Sequence, residues 1–77
     1  MKVKLTTVTD VQEFCRAASA LESDVFVSIG RYTVDGKSIL GLFSLNLINT
    51  LDVSVVEKNL GETEVFKAEL AKLGVLV

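Results

Sequence analysis

Three side chains in this sequence carry groups able to accept or transfer a charged group: the Asp10 carboxylate, the Cys15 thiol and the Ser38 hydroxyl. Asp10 opens a helical pattern. A carboxylate there can hold a phosphoryl group, or it can simply accept a hydrogen bond from a free helix N–H. Cys15 follows one turn later, beside the apolar Phe14 and Ala18. Such a thiol is reactive only where its pKa falls, and otherwise packs as a small hydrophobe. Ser38 opens a second, shorter apolar segment, where a hydroxyl serves as an N-cap. Imidazole is absent, because the 77 residues include no histidine. That removes Ser–His and Cys–His pairs, His metal sites and phosphohistidine from the available chemistry. No acidic cluster has the spacing of a calcium loop, and no glycine-rich phosphate cradle follows a strand. Arg31, Tyr32 and Lys58 suggest no constellation, and Glu57, Glu62, Glu64 and Glu69 read as solvated faces. The sequence predicts no cofactor, no metal site and no enzymatic activity.

Composition bounds the rest. The chain has room for one core, so residues 1–77 are read as a single domain. With 49% hydrophobic and 23% charged residues, it should fold rather than remain disordered. A net charge of −2 argues against a nucleic-acid partner, which demands a basic excess. A single cysteine fits a reducing compartment. Met1 to Thr7 contains no apolar signal region. The apolar stretch from Ile39 to Ile48 is broken by Ser44 and Asn46, and is far short of the about 20 residues that span a bilayer. The expectation is a cytoplasmic protein with no membrane contact.

The elements that must position these groups follow from periodicity. Val3, Leu5 and Thr7 alternate with Lys4 and Thr6, as in a strand with one buried face. Thr9 or Asp10 is expected to cap a helix running from about Asp10 to Leu21. Val11, Phe14, Ala18 and Leu21 form its inner stripe, and Gln12, Glu13 and Arg16 face out. Val25, Val27 and Ile29 mark a second strand, Gly30 a turn, and Tyr32 to Val34 a return strand. Ser38 to Leu45 reads as a short helix, apolar on all sides. Asn46 to Asn49 connect it to a strand with Leu51, Val53 and Val55. A final helix begins near Glu62, with Phe66, Leu70 and Leu73 inside and Gly74 as its stop. The order is β-α-β-β-α-β-α. Its middle hairpin forces antiparallel pairing, which gives an α+β two-layer sandwich with helices on one face of the sheet. Lys4, Ser28 and Ser54 are expected on the wetter face.

This order, together with the stretch from Val34 to Leu45, resembles HPr, the small phosphocarrier of the bacterial phosphoenolpyruvate-dependent sugar phosphotransferase system. The HPr pattern there is Lys-Ser, Ile or Leu, any residue, Gly, Val or Leu, any residue, Ser-Leu. Lys37, Ser38, Gly41, Ser44 and Leu45 match it, with apolar residues between. The resemblance implies an open-faced sandwich with sheet order 1-4-2-3. It also implies an apolar docking patch at Ile39, Leu40 and Phe43 with a charged rim from Arg16 and Lys37. At Ser38 it implies the regulatory serine that a dedicated kinase phosphorylates in HPr of low-GC Gram-positive bacteria. A phosphate there would meet helix N–H groups and Lys37. The departure lies before the first helix. HPr carries a Gly-x-His-x-Arg-Pro loop whose histidine relays the phosphoryl group. Here Thr7-Val8-Thr9-Asp10-Val11-Gln12 holds none of those four residues.

Three readings follow. The first is a non-catalytic module of the phosphotransferase-system family, binding protein partners through the second helix, with Ser38 as a modulating site. The second is a phosphocarrier component with another acceptor, Asp10 or Cys15. The third is a scaffold or dimerisation unit unrelated to sugar transport.

Overall fold

The computed structural model describes all 77 residues. The elements are β1 (Lys2–Val3), α1 (Val8–Ser19), β2 (Asp24–Ile29), β3 (Tyr32–Asp35), α2 (Ile39–Phe43), β4 (Leu51–Val56) and α3 (Glu62–Leu73), in the expected order. The strands form one antiparallel sheet in the order β1-β4-β2-β3. Alternation along each strand sends Val3, Val25, Val27, Leu51 and Val53 to the face that the helices cover, and all five are buried. Phe14 of α1 and Phe66 of α3 meet edge to face over this sheet, with ring centroids 5.4 Å apart. Phe26, Ser28 and Ser54 fall on the uncovered face.

Several local expectations are corrected. β1 does not run on to Thr7. Its partner β4 begins at Leu51, opposite Val3, so no ladder on that side continues past Val3, although Leu5 is still buried. Helix α1 starts earlier than expected, because Thr7 rather than Thr9 or Asp10 is the N-cap. Lys4 does not simply face solvent; its ammonium donates to the Ile48 carbonyl. The last three residues also bear structure. Val3 bridges Leu76, the Lys4 N–H donates to the Val75 carbonyl at 2.9 Å, and the Val77 N–H donates to the Lys2 carbonyl at 3.0 Å. The outer edge of β1 is therefore covered.

Glu62 is not a solvated surface carboxylate. It accepts from the Ser23 N–H at 2.8 Å, the Ser23 hydroxyl at 2.5 Å and the Glu22 N–H at 3.2 Å. Ser23, fully buried, accepts in turn from the Lys58 N–H at 2.9 Å. One carboxylate thus joins the α1–β2 turn, the end of β4 and the start of α3. The Ser23 hydroxyl is the foremost cause of a Glu62 pKa below its ordinary 4.5. Glu57 is also committed. Gly61, the N-cap of α3, has no side chain to offer, and the Glu57 carboxylate accepts from the Thr63 N–H at 2.8 Å instead.

Between β3 and α2 the backbone crosses β2 closely. A Cβ on Gly36 would lie 2.6 Å from Val25 Cγ1, so only glycine fits. This crossing brings Lys37 and Ser38 alongside α1.

Ser23→Ala leaves the partly buried Lys58 amide without its acceptor and Glu62 without the Ser23 hydroxyl. It is expected to lower unfolding free energy by about 1–3 kcal/mol, read as a shifted urea midpoint at unchanged slope.

Candidate functional site

The N-terminus of α1 is built from Thr7 and Asp10. Thr7 is extended, and its hydroxyl accepts from the Asp10 N–H at 3.0 Å. Asp10 reaches back and accepts from the Thr6 N–H at 3.0 Å, the Thr6 hydroxyl at 2.9 Å and the Thr7 N–H at 3.3 Å. This reciprocal pairing is a capping box. The Thr6 amide, then the Thr6 hydroxyl, holds the Asp10 carboxyl below its ordinary 3.8. One carboxylate oxygen, Oδ2, accepts all three bonds, so this side chain is fixed in a structural role.

The start of α2 lies against α1. The Ser38 hydroxyl accepts from the Gly41 N–H at 3.1 Å and caps the helix. The Cys15 thiol donates to the Lys37 carbonyl at 3.3 Å and is half-buried. Lys37 does not form a charged rim. Its ammonium turns inward and donates to the Leu21 carbonyl at 2.7 Å, closing the carbonyl end of α1. Arg16 is also displaced from the expected rim. It pairs with Glu13 at 2.5 Å and lies beside Glu69 and Val65 of α3. Ser38, Lys37 and Cys15 are thus brought together, while Asp10 and Arg16 are held elsewhere.

The expected apolar patch divides in two. Ile39 is half-buried and packs onto the core, as does Leu42. Leu40 is 80% exposed and Phe43 43% exposed. Phe43 joins Val8, Val11, Leu47 and Ile48 around a groove of about 460 Å³ whose other wall is the Lys4–Thr7 connection. Val8 and Ile48 are exposed. Leu40 extends the cluster by one helical turn from Phe43. Val8, Leu47 and Ile48 are absent from the sequence-based patch. Two signals pointed to them. Val8, Val11 and Cys15 share one helix stripe, and Leu47-Ile48 is an apolar pair inside an asparagine-flanked connection.

The groove therefore joins the N-terminal end of α1 to the outer side of α2. No trio of Cys, Asp or Glu side chains converges on a metal-binding point, and no helix is long and apolar enough to cross a membrane. No protein-family profile matches the sequence, and no curated protein is similar to it. Among solved structures the chain is similar to HPr-C-His from Thermoanaerobacter tengcongensis. The TM-score is 0.78 over 95% of this chain and 86% of that one, at 22% identity. The fold is HPr-like. At that identity the likeness establishes the HPr-like sandwich, including its sheet order 1-4-2-3, and nothing about activity.

The folded pKa of Asp10 is depressed, so its ionised form stabilises the protein above pH 3.8, and that contribution is lost as pH falls through the folded value. Asp10→Asn should lower the melting temperature at pH 7. Its gap from wild type should close as acid protonates the native carboxyl, checked by circular dichroism melts across the acid range.

Proposed function

We propose that this chain is a non-catalytic, protein-binding module related by descent to the HPr phosphocarriers, working without a phosphohistidine. The observation that carries this reading is the groove lined by Val8, Phe43, Leu47 and Ile48, with the exposed Leu40 one helical turn from Phe43. Three large apolar side chains left in water at one groove, Val8, Phe43 and Ile48, form a patch of the kind that a partner covers. The groove has a polar margin at Lys4, Thr6 and Thr7, which suits a folded protein surface with an apolar centre. First candidates for the partner are phosphotransferase-system and carbon-regulation proteins.

Further support comes from the end of α1. In HPr the phospho-accepting loop precedes this helix. Here that position holds the Thr7 cap, with an aspartate that accepts two hydrogen bonds from Thr6 and one from Thr7. A phosphorylated Asp10 would lose the carboxylate charge that strengthens those bonds, which disfavours the reading with an alternative acceptor. Cys15 offers little better, since its thiol is half-buried against the Lys37 carbonyl.

Within this reading Ser38 is the modulating site. Its hydroxyl sits one residue before Ile39 and Leu40, and a phosphate there would replace a neutral cap with charge beside the patch. Lys37 is already engaged with Leu21, so the effect would fall on docking more than on a new ion pair.

Incubation with phosphoenolpyruvate and Enzyme I should leave no acid-labile phosphate on the protein. Label that passes on to a sugar-permease subunit would overturn the proposal. Calorimetric titration against Enzyme I, permease subunits and carbon regulators should identify a binder. Leu40→Glu should then weaken it at least about tenfold, an ordinary hot-spot loss, with the melting temperature unchanged. A kinase specific for HPr should label wild type from radiolabelled ATP and leave Ser38→Ala blank.

A further inference from the structure

The β2–β3 ladder determines which backbone groups of β3 remain unused. The Gly36 N–H donates to the Val25 carbonyl at 2.7 Å. In the same register Val34 faces Val27 and Tyr32 faces Ile29. Hydrogen-bonded and non-hydrogen-bonded pairs alternate along an antiparallel ladder. Thr33 and Asp35 therefore turn their amides away from β2, toward an edge on which no strand lies. The opposite edge of the sheet is covered by Val75–Val77. Open edges are commonly guarded by proline, lysine or a bulge. β3 reads Tyr-Thr-Val-Asp and pairs without interruption from Tyr32 to Asp35.

Beside this edge, on the helix side, runs a groove of about 590 Å³ lined by Tyr32, Val34, Leu45 and Asn46 among others. Tyr32 is 74% exposed. Arg31 lies at the same groove and forms no ion pair. The groove shares no residue with the one beside Phe43.

We propose that this edge pairs with the same edge of a second copy of the chain, antiparallel, about a two-fold axis at Thr33. Two sheets of four strands would become one of eight. Charge selects both the occupant and the register. The outward-facing amides of β3 belong to Thr33 and Asp35, so bonded pairs join odd positions and the axis can pass through Thr33, Asp35 or, between bonded pairs, Val34; one at Val34 would bring Arg31 toward the partner's Lys37. An axis at Asp35 would oppose two carboxylates, and Arg31 lies in the turn beyond the end of β3. An axis at Thr33 brings Arg31, in the turn of each protomer, near Asp35 of its partner, twice, although the Asp35 carboxylate also accepts from its own Lys37 N–H at 2.9 Å. It also exchanges two hydrogen bonds between the Thr33 backbones. On the helix side Tyr32 then lies opposite Val34 of the other copy, each pair roofed over a groove that is otherwise open. The inference is independent of the docking role assigned to Leu40 and Phe43.

The test is sedimentation velocity of the full chain from about 10 µM to about 1 mM, the range suited to an interface below the standard size. Wild type should shift from monomer to dimer. Arg31→Asp places two carboxylates opposite two others and should raise the midpoint at least about tenfold. Asp35→Arg should do the same, and an equimolar mixture of the two variants should associate again. A wild type that remains monomeric throughout overturns the proposal. So does a dimer indifferent to Arg31→Asp, or two folded variants that fail to associate when mixed. Should Asp35→Arg lose its fold, wild type against Arg31→Asp is decisive through the emission of Tyr32, the one tyrosine in the chain. Shielding from acrylamide that grows with concentration in wild type alone supports the edge dimer, and equal quenching of both proteins overturns it.

Discussion

The structure depends on the covering of one sheet face by two helices. Val3, Val25, Val27, Leu51 and Val53 present a stripe of branched side chains, and α1 and α3 fill it by meeting at Phe14 and Phe66. Sixteen buried side chains form a single cluster around that contact, so the chain has one core and no second one to share the load. Once the two long helices occupy the centre, α2 has only the margin between α1 and β3. It buries Leu42 and half-buries Ile39, and has nothing to cover its far side. The exposure of Leu40 and Phe43 is thus a geometric result of how the sheet is roofed. The patch on which the functional reading rests is inherited from the core.

Much of this architecture was legible in the residues. Period-two alternation in Val25–Ile29 and Leu51–Val55 located the central strands. The stripe of Val11, Phe14 and Ala18 gave α1 its buried side; Leu21 is buried too, but just past the helix, which ends at Ser19. Ser38 was legible as a cap because a hydroxyl before an apolar run has one preferred use. What escaped was of a different kind. Lys37 turns toward Leu21, sixteen positions back, and Glu62 toward Ser23, thirty-nine positions back. No local pattern announces a contact across such distances, so both charged side chains looked like surface. The capping box at Thr7 was misread for a simpler reason. Thr6, Thr7, Thr9 and Asp10 are all able to cap, and only the path of β1 decides among them.

The candidate site shows the same division. Leu40 and Phe43 could be placed by helical spacing on a short apolar helix. Val8 and Ile48 belong to other segments and join Phe43 only because the fold brings the Lys4–Thr7 connection against the loop after α2. Polar satisfaction is complete in this structure, with no buried side-chain nitrogen or oxygen lacking a partner.

The central position of β4 bears on how the chain folds. It lies between β1 and β2, yet comes after both in sequence, and Lys2 pairs with Asp52 across most of the chain. The β2–β3 hairpin closes over a two-residue turn, so loop entropy favours it as an early nucleus, whereas β1 can dock only after the interior is assembled. Contacts at the two chain ends, where Val3 meets Leu76, close the longest loops in the chain, and loop entropy orders them after the rate-limiting barrier. Their strength governs chiefly how long the native molecule survives before it opens, and hardly at all how quickly it forms.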